Sequence, residues 1–404
     1  MPAPMKPASD TVRFGADSVF GFIRRTAEHE GPRCRWKTAD YENRLRYDIT
    51  LFNGVGGIPL FLADYGRLRG NEEALELARG ALEWCADAGH EGYIRGLQFG
   101  KAGPAFAAWH MDATEHSPAI ARLCERVTGS ILGEDPGPVT DMVGGAASNG
   151  FYLLTAWKKR GGRELLEGAV RCGEWLRRQL VRDELGCHCA ARPDGAWFGN
   201  RPFSGFAHGI SGVAFFFALL YEATRESAWK QVAMEIFDTL IRDAQPIHGG
   251  WNWSPGLGKK ELSRCQWSHG SPGVGLALLR AAEIFGEPRL MEAAILAGEA
   301  TYGYGDFRNN PTQCVGLAGG GDFLLELGRV TGEERWMDRA REFGEKIMAY
   351  RAVLPEGDAW PTDEPGLYTA DFMYGAAGIG HFLLRIETEG RLAMPLIGGR
   401  LNSS

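Results

Sequence analysis

Apolar and polar residues follow one arrangement seven times along this chain. A glycine turn opens a run that is apolar on nearly every side, and each run but the last gives way to a stretch with a single apolar stripe. In the first copy, Asn53-Gly54-Val55-Gly56-Gly57 leads into Ile58-Pro59-Leu60-Phe61-Leu62-Ala63, the pattern of a helix buried on all sides. Asn71 is then placed to cap a second helix. That helix gathers Ala74, Leu75, Ala78, Ala81, Leu82 and Cys85 on one face, with Glu76, Arg79 and Glu83 off it. The inner-then-outer pair recurs at 213–223 with 229–244, 274–285 with 291–300, and 323–330 with 335–350.

The turns run Gly54 to Gly57, Gly100 to Gly103, Gly145 to Ser148, Gly209 to Gly212, Gly270 to Gly273, Gly316 to Gly319 and Gly375 to Gly378. Self-similarity at intervals of roughly 45 to 65 residues marks a repeat architecture. The pattern predicts an all-α, double-walled (α/α) toroid of seven inner and seven outer helices. It is expected as a single domain over residues 1–404, with repeats across 45–390 and residues 1–12 as a flexible tail.

In such a ring the seven inner-helix N-termini rim one concave pocket, and their unpaired N–H groups favour anions and oxyanions. The residues just before the glycines are therefore the candidates for chemistry. Directly before them stand Asn53, Phe99, Gly144, His208, His269, Val315 and Tyr374; one further back are Ser268 and Cys314; four back from the glycine are Asp141 and Asp371. Each has a structural alternative. His208 and His269 are also suited to capping or core stacking, Asp141 and Asp371 to N-capping, Cys314 to packing, and Arg264 to a solvated surface. As a set they read as catalytic residues (His208, Asp141, His269, Arg264) beside substrate contacts (Trp267, Ser268, Cys314, Asn53, Tyr374, Asp371). A thiol at a helix N-terminus would be acidified if exposed.

Composition narrows the partners. A net charge of −7, a pI of 5.8 and no basic run longer than Lys158-Lys159-Arg160 leave no electrostatic footprint for nucleic acid or an anionic membrane. No apolar stretch reaches bilayer-spanning length and Met1 to Asp10 lacks an apolar signal core, so the expected compartment is the cytoplasm. The eight cysteines suit reduced thiols better than a disulfide framework. A peptide or small-molecule substrate is the expected partner. Two insertions, 183–203 with Cys187-His188-Cys189 and Arg192-Pro193-Asp194-Gly195, and 249–256 with Trp251 and Trp253, read as loops or hairpins over the ring. Cys187-His188-Cys189 looks metal-like but is too crowded for one tetrahedral ion.

The segment Gln266-Trp267-Ser268-His269-Gly270-Ser271-Pro272-Gly273 resembles the tryptophan-cysteine-x-glycine-x-proline-glycine motif of the lanthionine synthetase C-like family, with a Gln-Trp-x-His form similar to its eukaryotic branch. Gly205-Phe206-Ala207-His208-Gly209 resembles that family's histidine-glycine motif, and Cys314-Val315-Gly316-Leu317-Ala318-Gly319 its cysteine-histidine-glycine motif. The resemblance implies addition of a thiol to a dehydroamino acid, with a zinc held by two cysteines and a histidine and a second histidine handling the enolate proton. Carried across, the proton-handling residue is His208, supported by Asp141 and Arg264. The zinc positions fall on Ser268, Cys314 and Val315, of which only the cysteine is an ordinary ligand. The expectation is a zinc-independent enzyme of this type with no cofactor, performing acid/base-assisted addition or elimination. A repaired zinc set would be Cys314, Cys265 and His269. Two other readings stay open: a carbohydrate-active α/α-barrel enzyme using Asp141 and Asp371 as acid and base, and a non-catalytic binding protein.

Overall fold

In the computed structural model, residues 10–115, 117–192, 200–305, 310–355 and 357–397 are described. Fourteen α-helices lie among them. Seven start at the glycine turns: α2 (Ile58–Arg69), α4 (Ala102–Met111), α6 (Ala146–Arg160), α8 (Ile210–Thr224), α10 (Ser271–Phe285), α12 (Leu317–Thr331) and α14 (Ala376–Glu387). Each packs on the next, and α14 closes on α2. Against them lie α3 (Glu72–Asp87), α5 (Pro118–Gly133), α7 (Arg163–Gln179), α9 (Ser227–Asp243), α11 (Pro288–Tyr304) and α13 (Glu334–Ala349). The seventh outer helix comes from the other end of the chain: α1 (Asp10–Thr26) packs on α14. Val12 is already buried there, so residues 10–12 belong to the ring and not to a tail, whereas 1–9 lie outside the described residues. Asn71 caps α3 as its position predicts, accepting from the Ala74 N–H at 3.0 Å.

The turns themselves form a smaller ring. The residue two before each first glycine, or its immediate neighbour, hydrogen-bonds the same position in the next unit. Phe52 N–H donates to Gln98, Gln98 to Val143, Met142 to Ala207, Ala207 to Ser268, Ser268 to Cys314, Cys314 to Met373, and Met373 back to Phe52, all between 2.8 and 3.2 Å. This circle needs the inner helices to approach closely. A Cβ on Gly273 would lie 2.7 Å from Cβ of Phe206 in the preceding unit, and one on Gly319 would lie 3.0 Å from Cβ of Trp267 in its preceding unit. Gly270 additionally has φ 118°, where a side chain is strained.

Four outer helices, α1, α7, α9 and α13, run into short antiparallel hairpins. In three of them the residue after the second strand is a buried tryptophan: Trp36, Trp253 and Trp360 donate Nε1–H to the carbonyls of Ile23, Leu240 and Ile347 at 2.7, 2.7 and 3.0 Å. After the strands Val181–Asp183 and Gly186–His188 that place is held by Cys189, a packing residue whose thiol burial pushes up to about 12. His188 turns to Asp183 of its own hairpin at 3.0 Å. The Cys187-His188-Cys189 segment is thus one member of the hairpin repeat, and Pro193-Asp194-Gly195 falls outside the described residues.

A buried ion network ties the last inner helices together. Arg385 on α14 is fully buried and donates to Asp322 and Glu326 on α12; Asp322 also accepts from Gln313 at 2.9 Å, and Glu326 from Arg329 at 2.8 Å. Removing one partner from such a set strands the others without water. Arg385→Leu is expected to destabilise the fold by about 3–5 kcal/mol, read as a lowered midpoint in denaturant melts. An unchanged midpoint would show that the network contributes nothing.

Candidate functional site

Asp141 and His208 come from adjacent turns and form a pair at the rim. The Asp141 Oδ1 accepts the N–H groups of Val143 and Gly144 at 3.0 and 2.9 Å, which fixes the carboxylate in its turn. Its Oδ2 lies 2.8 Å from Nδ1 of His208. A carboxylate only accepts, so Nδ1 carries the proton and Nε2 is the basic nitrogen. The carboxylate is buried, while the imidazole keeps 15% of its side-chain surface exposed.

The next turn sets His269 against this pair, with ring centroids 5.9 Å apart. Burial pushes the His269 imidazole down to about 3, helped by the charges of His208 and Arg264, and its buried Nδ1 has no hydrogen-bond partner among the described residues. His269 is therefore neutral at working pH. A histidine whose folded pKa is depressed contributes stability that is complete above its unfolded value near 6.5 and is lost as pH falls towards 3. Between pH 7 and 5 the protein is expected to lose about 2 kcal/mol through this residue. His269→Gln removes that share, which unfolding titrations at the two pH values would detect; equal losses in both proteins would refute it.

Ser268 and Cys314 sit side by side in the backbone circle. Burial pushes the Cys314 thiol up to about 12, only partly offset by a hydrogen bond from the Ser268 hydroxyl and by the charge of Arg264. The acidified thiol expected at a helix N-terminus is not found, because the site is dry there. Arg264 is exposed, makes no ion pair with a described residue, and is close enough for its charge to act on both His269 and Cys314.

Other expected contacts are placed differently. Trp267 is fully buried and packs on Phe206, centroids 5.2 Å apart, so it belongs to the core and offers no face to a substrate. Asn53 spends its amide on the protein, donating to the Ala39 carbonyl at 2.8 Å and accepting from Thr50 at 3.2 Å. Asp371 accepts from Thr369 at 2.6 Å and from the Tyr374 N–H at 2.9 Å, and burial pushes it up to about 6. Tyr374, edge-on to Phe52, lines a small cavity together with Asn53, Asp371, Tyr41 and Asp363, so three of the expected contacts do share one space. Asp141 and Asp371 belong to the third and seventh turns, the widest separation seven units allow, and both are bonded into their own turns. That is not the facing acid/base pair a glycoside hydrolase requires.

A zinc does not fit the donors present. Ser268 offers a neutral hydroxyl and Val315 no donor atom, which leaves Cys314 as the one ordinary ligand of the three. In the repaired set, the Cys265 thiol is hydrogen-bonded by Ser271 and Thr301. Among the described residues no three His, Cys, Asp or Glu side chains gather as a metal site.

The motif reading passed over Gln98, Tyr41 and Asp363. Gln98 occupies in the second unit the place of Ser268 and Cys314, is buried, and has an Oε1 without a partner among the described residues. Its offset of two before the glycine is the signal that could have found it. Tyr41 and Asp363 lie in loops with no periodicity.

A double-walled toroid with a carboxylate-held histidine at its rim defines the class. The chain belongs to the lanthionine synthetase C-like family, whose model matches residues 46–397. It is 27% identical over 154 residues to a zebrafish (Danio rerio) protein named glutathione S-transferase LANCL1, covering 38% of this chain and 37% of that one. It is 30% identical over 147 residues to the Arabidopsis thaliana LanC-like protein GCL1, covering 36% and 33%. The chain thus spans about a third of the length of these curated relatives. Nisin cyclase superposes with a TM-score of 0.67 at 16% identity over 93% of both chains. The GH76A α-1,6-mannanase of Salegentibacter sp. HEL1_6 superposes with 0.55 at 14% over 95% of this chain and 100% of that one. At these identities the superpositions establish the fold. No described helix is long and apolar enough to cross a membrane.

Proposed function

We propose that this chain is a metal-independent enzyme that adds a thiol to, or eliminates one from, an electrophilic double bond in a peptide or small molecule at the toroid rim. The observation that carries this reading is the 2.8 Å contact between Asp141 and His208, with His208 partly exposed. Asp141 fixes the tautomer and stabilises the imidazolium once formed. In the forward direction His208 Nε2 takes the thiol proton as the sulfur attacks Cβ of the acceptor. The C–S bond forms, the double-bond electrons pass through Cα to the neighbouring carbonyl, and the imidazolium returns its proton to Cα. The sum is thiol plus alkene to thioether, without a redox partner. In this reading Arg264 stabilises the enolate oxygen and neutral His269 orients the acceptor by hydrogen bonding. Loss of the two other ligand types at the zinc positions supports a thiol activated by base.

The zebrafish relative's name suggests glutathione as the thiol to try first. Incubating the protein with glutathione and a dehydroalanine-containing peptide, and following the mass gain of one thiol, tests the reading. Product at the uncatalysed rate, or the same rate in His208→Ala, would sink it in favour of a binding protein.

A further inference from the structure

Beside the Asp141–His208 pair, between the second and third glycine turns, lies a cavity of about 280 Å³. Its wall includes Gly144, whose N–H is held by Asp141, so the cavity adjoins the carboxylate that positions His208. Two cations line it. Arg95 donates through Nη2 to the Asp135 carbonyl at 2.8 Å, but its buried Nη1 makes no hydrogen bond with a described residue. The nearest carboxylate to Nη1 is Glu134, 3.5 Å away and 58% exposed. Lys101, at the start of α4, makes no ion pair with a described residue. Asn149, on the first turn of α6, is 3% exposed and also lines the cavity, with its side-chain Oδ1 lacking a partner. Buried amides are rarely left so, and the unmet partner is then a water or a ligand. What an Asn amide can offer a carboxylate is its N–H₂, a two-proton donor.

We propose that this cavity is a carboxylate subsite, in which Arg95 and Lys101 hold one carboxylate of the substrate and Asn149 completes its hydrogen bonds. Arg95 presents a planar pair of donors that matches a carboxylate, and Lys101 adds a point charge. With Glu134 set against the two cations, the net charge is +1, which suits a monoanion better than a phosphate dianion. The chemical class is a free monocarboxylate, as on a peptide terminus or an acidic side chain. The word substrate rests on the function proposed above; the binding itself does not.

The experiment is a ligand-observed NMR titration with N-acetylglycine, a monocarboxylate of peptide-terminus size, and separately with inorganic phosphate. It compares the wild-type chain with Lys101→Ala, Asn149→Asp and His208→Ala. Asn149→Asp keeps the shape and puts a negative charge beside the carboxylate; Lys101→Ala removes a partly exposed side chain that no fold contact needs. The expected result is saturable N-acetylglycine binding that weakens about tenfold or more in both cavity variants, is unchanged in His208→Ala, and exceeds that of phosphate. No saturable binding in the wild type, equal binding in all four proteins, or tighter binding of phosphate overturns the subsite. Because His208→Ala is scored for binding and not turnover, failure of the proposed chemistry would leave this result standing, and the reverse holds too.

Discussion

Replacing His208 with alanine is expected to lower thioether formation by a factor of about 10²–10⁴, the range for loss of a positioned general acid/base. The size follows from its double duty, since one imidazole both takes the thiol proton and returns it to carbon. Asp141→Asn should act in the same direction but less strongly. An amide can still accept the two backbone N–H groups that Oδ1 now holds, yet it cannot stabilise an imidazolium. The two variants therefore separate a base from its support. Rates within twofold of wild type for His208→Ala would remove it from the chemistry.

The second large effect is a gain of metal. Ser268 and Cys314 already touch through their side chains, and Val315 follows Cys314 at the rim. Ser268→Cys together with Val315→His would place two thiols and an imidazole there. That set has the softness and geometry zinc selects, and metal would draw the Cys314 proton off against the burial that now holds it on. The double variant is expected to bind one zinc per chain, with elemental analysis as the readout, while wild type and each single variant bind far less than one. A stoichiometric zinc in the wild type would show that other residues complete a site, and would contradict the reading of Ser268 and Val315 as lost ligands.

How much was legible beforehand depends on the kind of signal. Glycine turns and apolar runs report helix packing directly, because the absence of a side chain lets Gly273 and Gly319 approach Phe206 and Trp267 of the preceding units. The inner and outer helices therefore follow from pattern alone, apart from α1, whose place is fixed by ring closure with α14 and not by anything adjacent in sequence. The rim was legible by position: His208, His269 and Asp141 do converge. What pattern could not supply is direction and solvation. Trp267 and Ser268 are neighbours, yet one side chain enters the core and the other reaches Cys314. Asn53 and Asp371 have the right residue types but are hydrogen-bonded to protein groups, Asn53 to the Ala39 carbonyl and Asp371 within its own turn. The Cys314 thiol sits at a helix N-terminus as expected, but burial outweighs the dipole. Lys101 and Arg95 carry no motif, and only the folded turns bring them to Asn149.

The central claim is that the Asp141–His208 pair performs thiol addition without a metal. It is tested most directly by the rate of thioether formation from glutathione and a dehydroalanine peptide, with wild-type protein stripped by chelator and assayed with chelator present. The account predicts a rate undiminished by the chelator and lost in His208→Ala. A rate abolished by the chelator and restored by added zinc would contradict it.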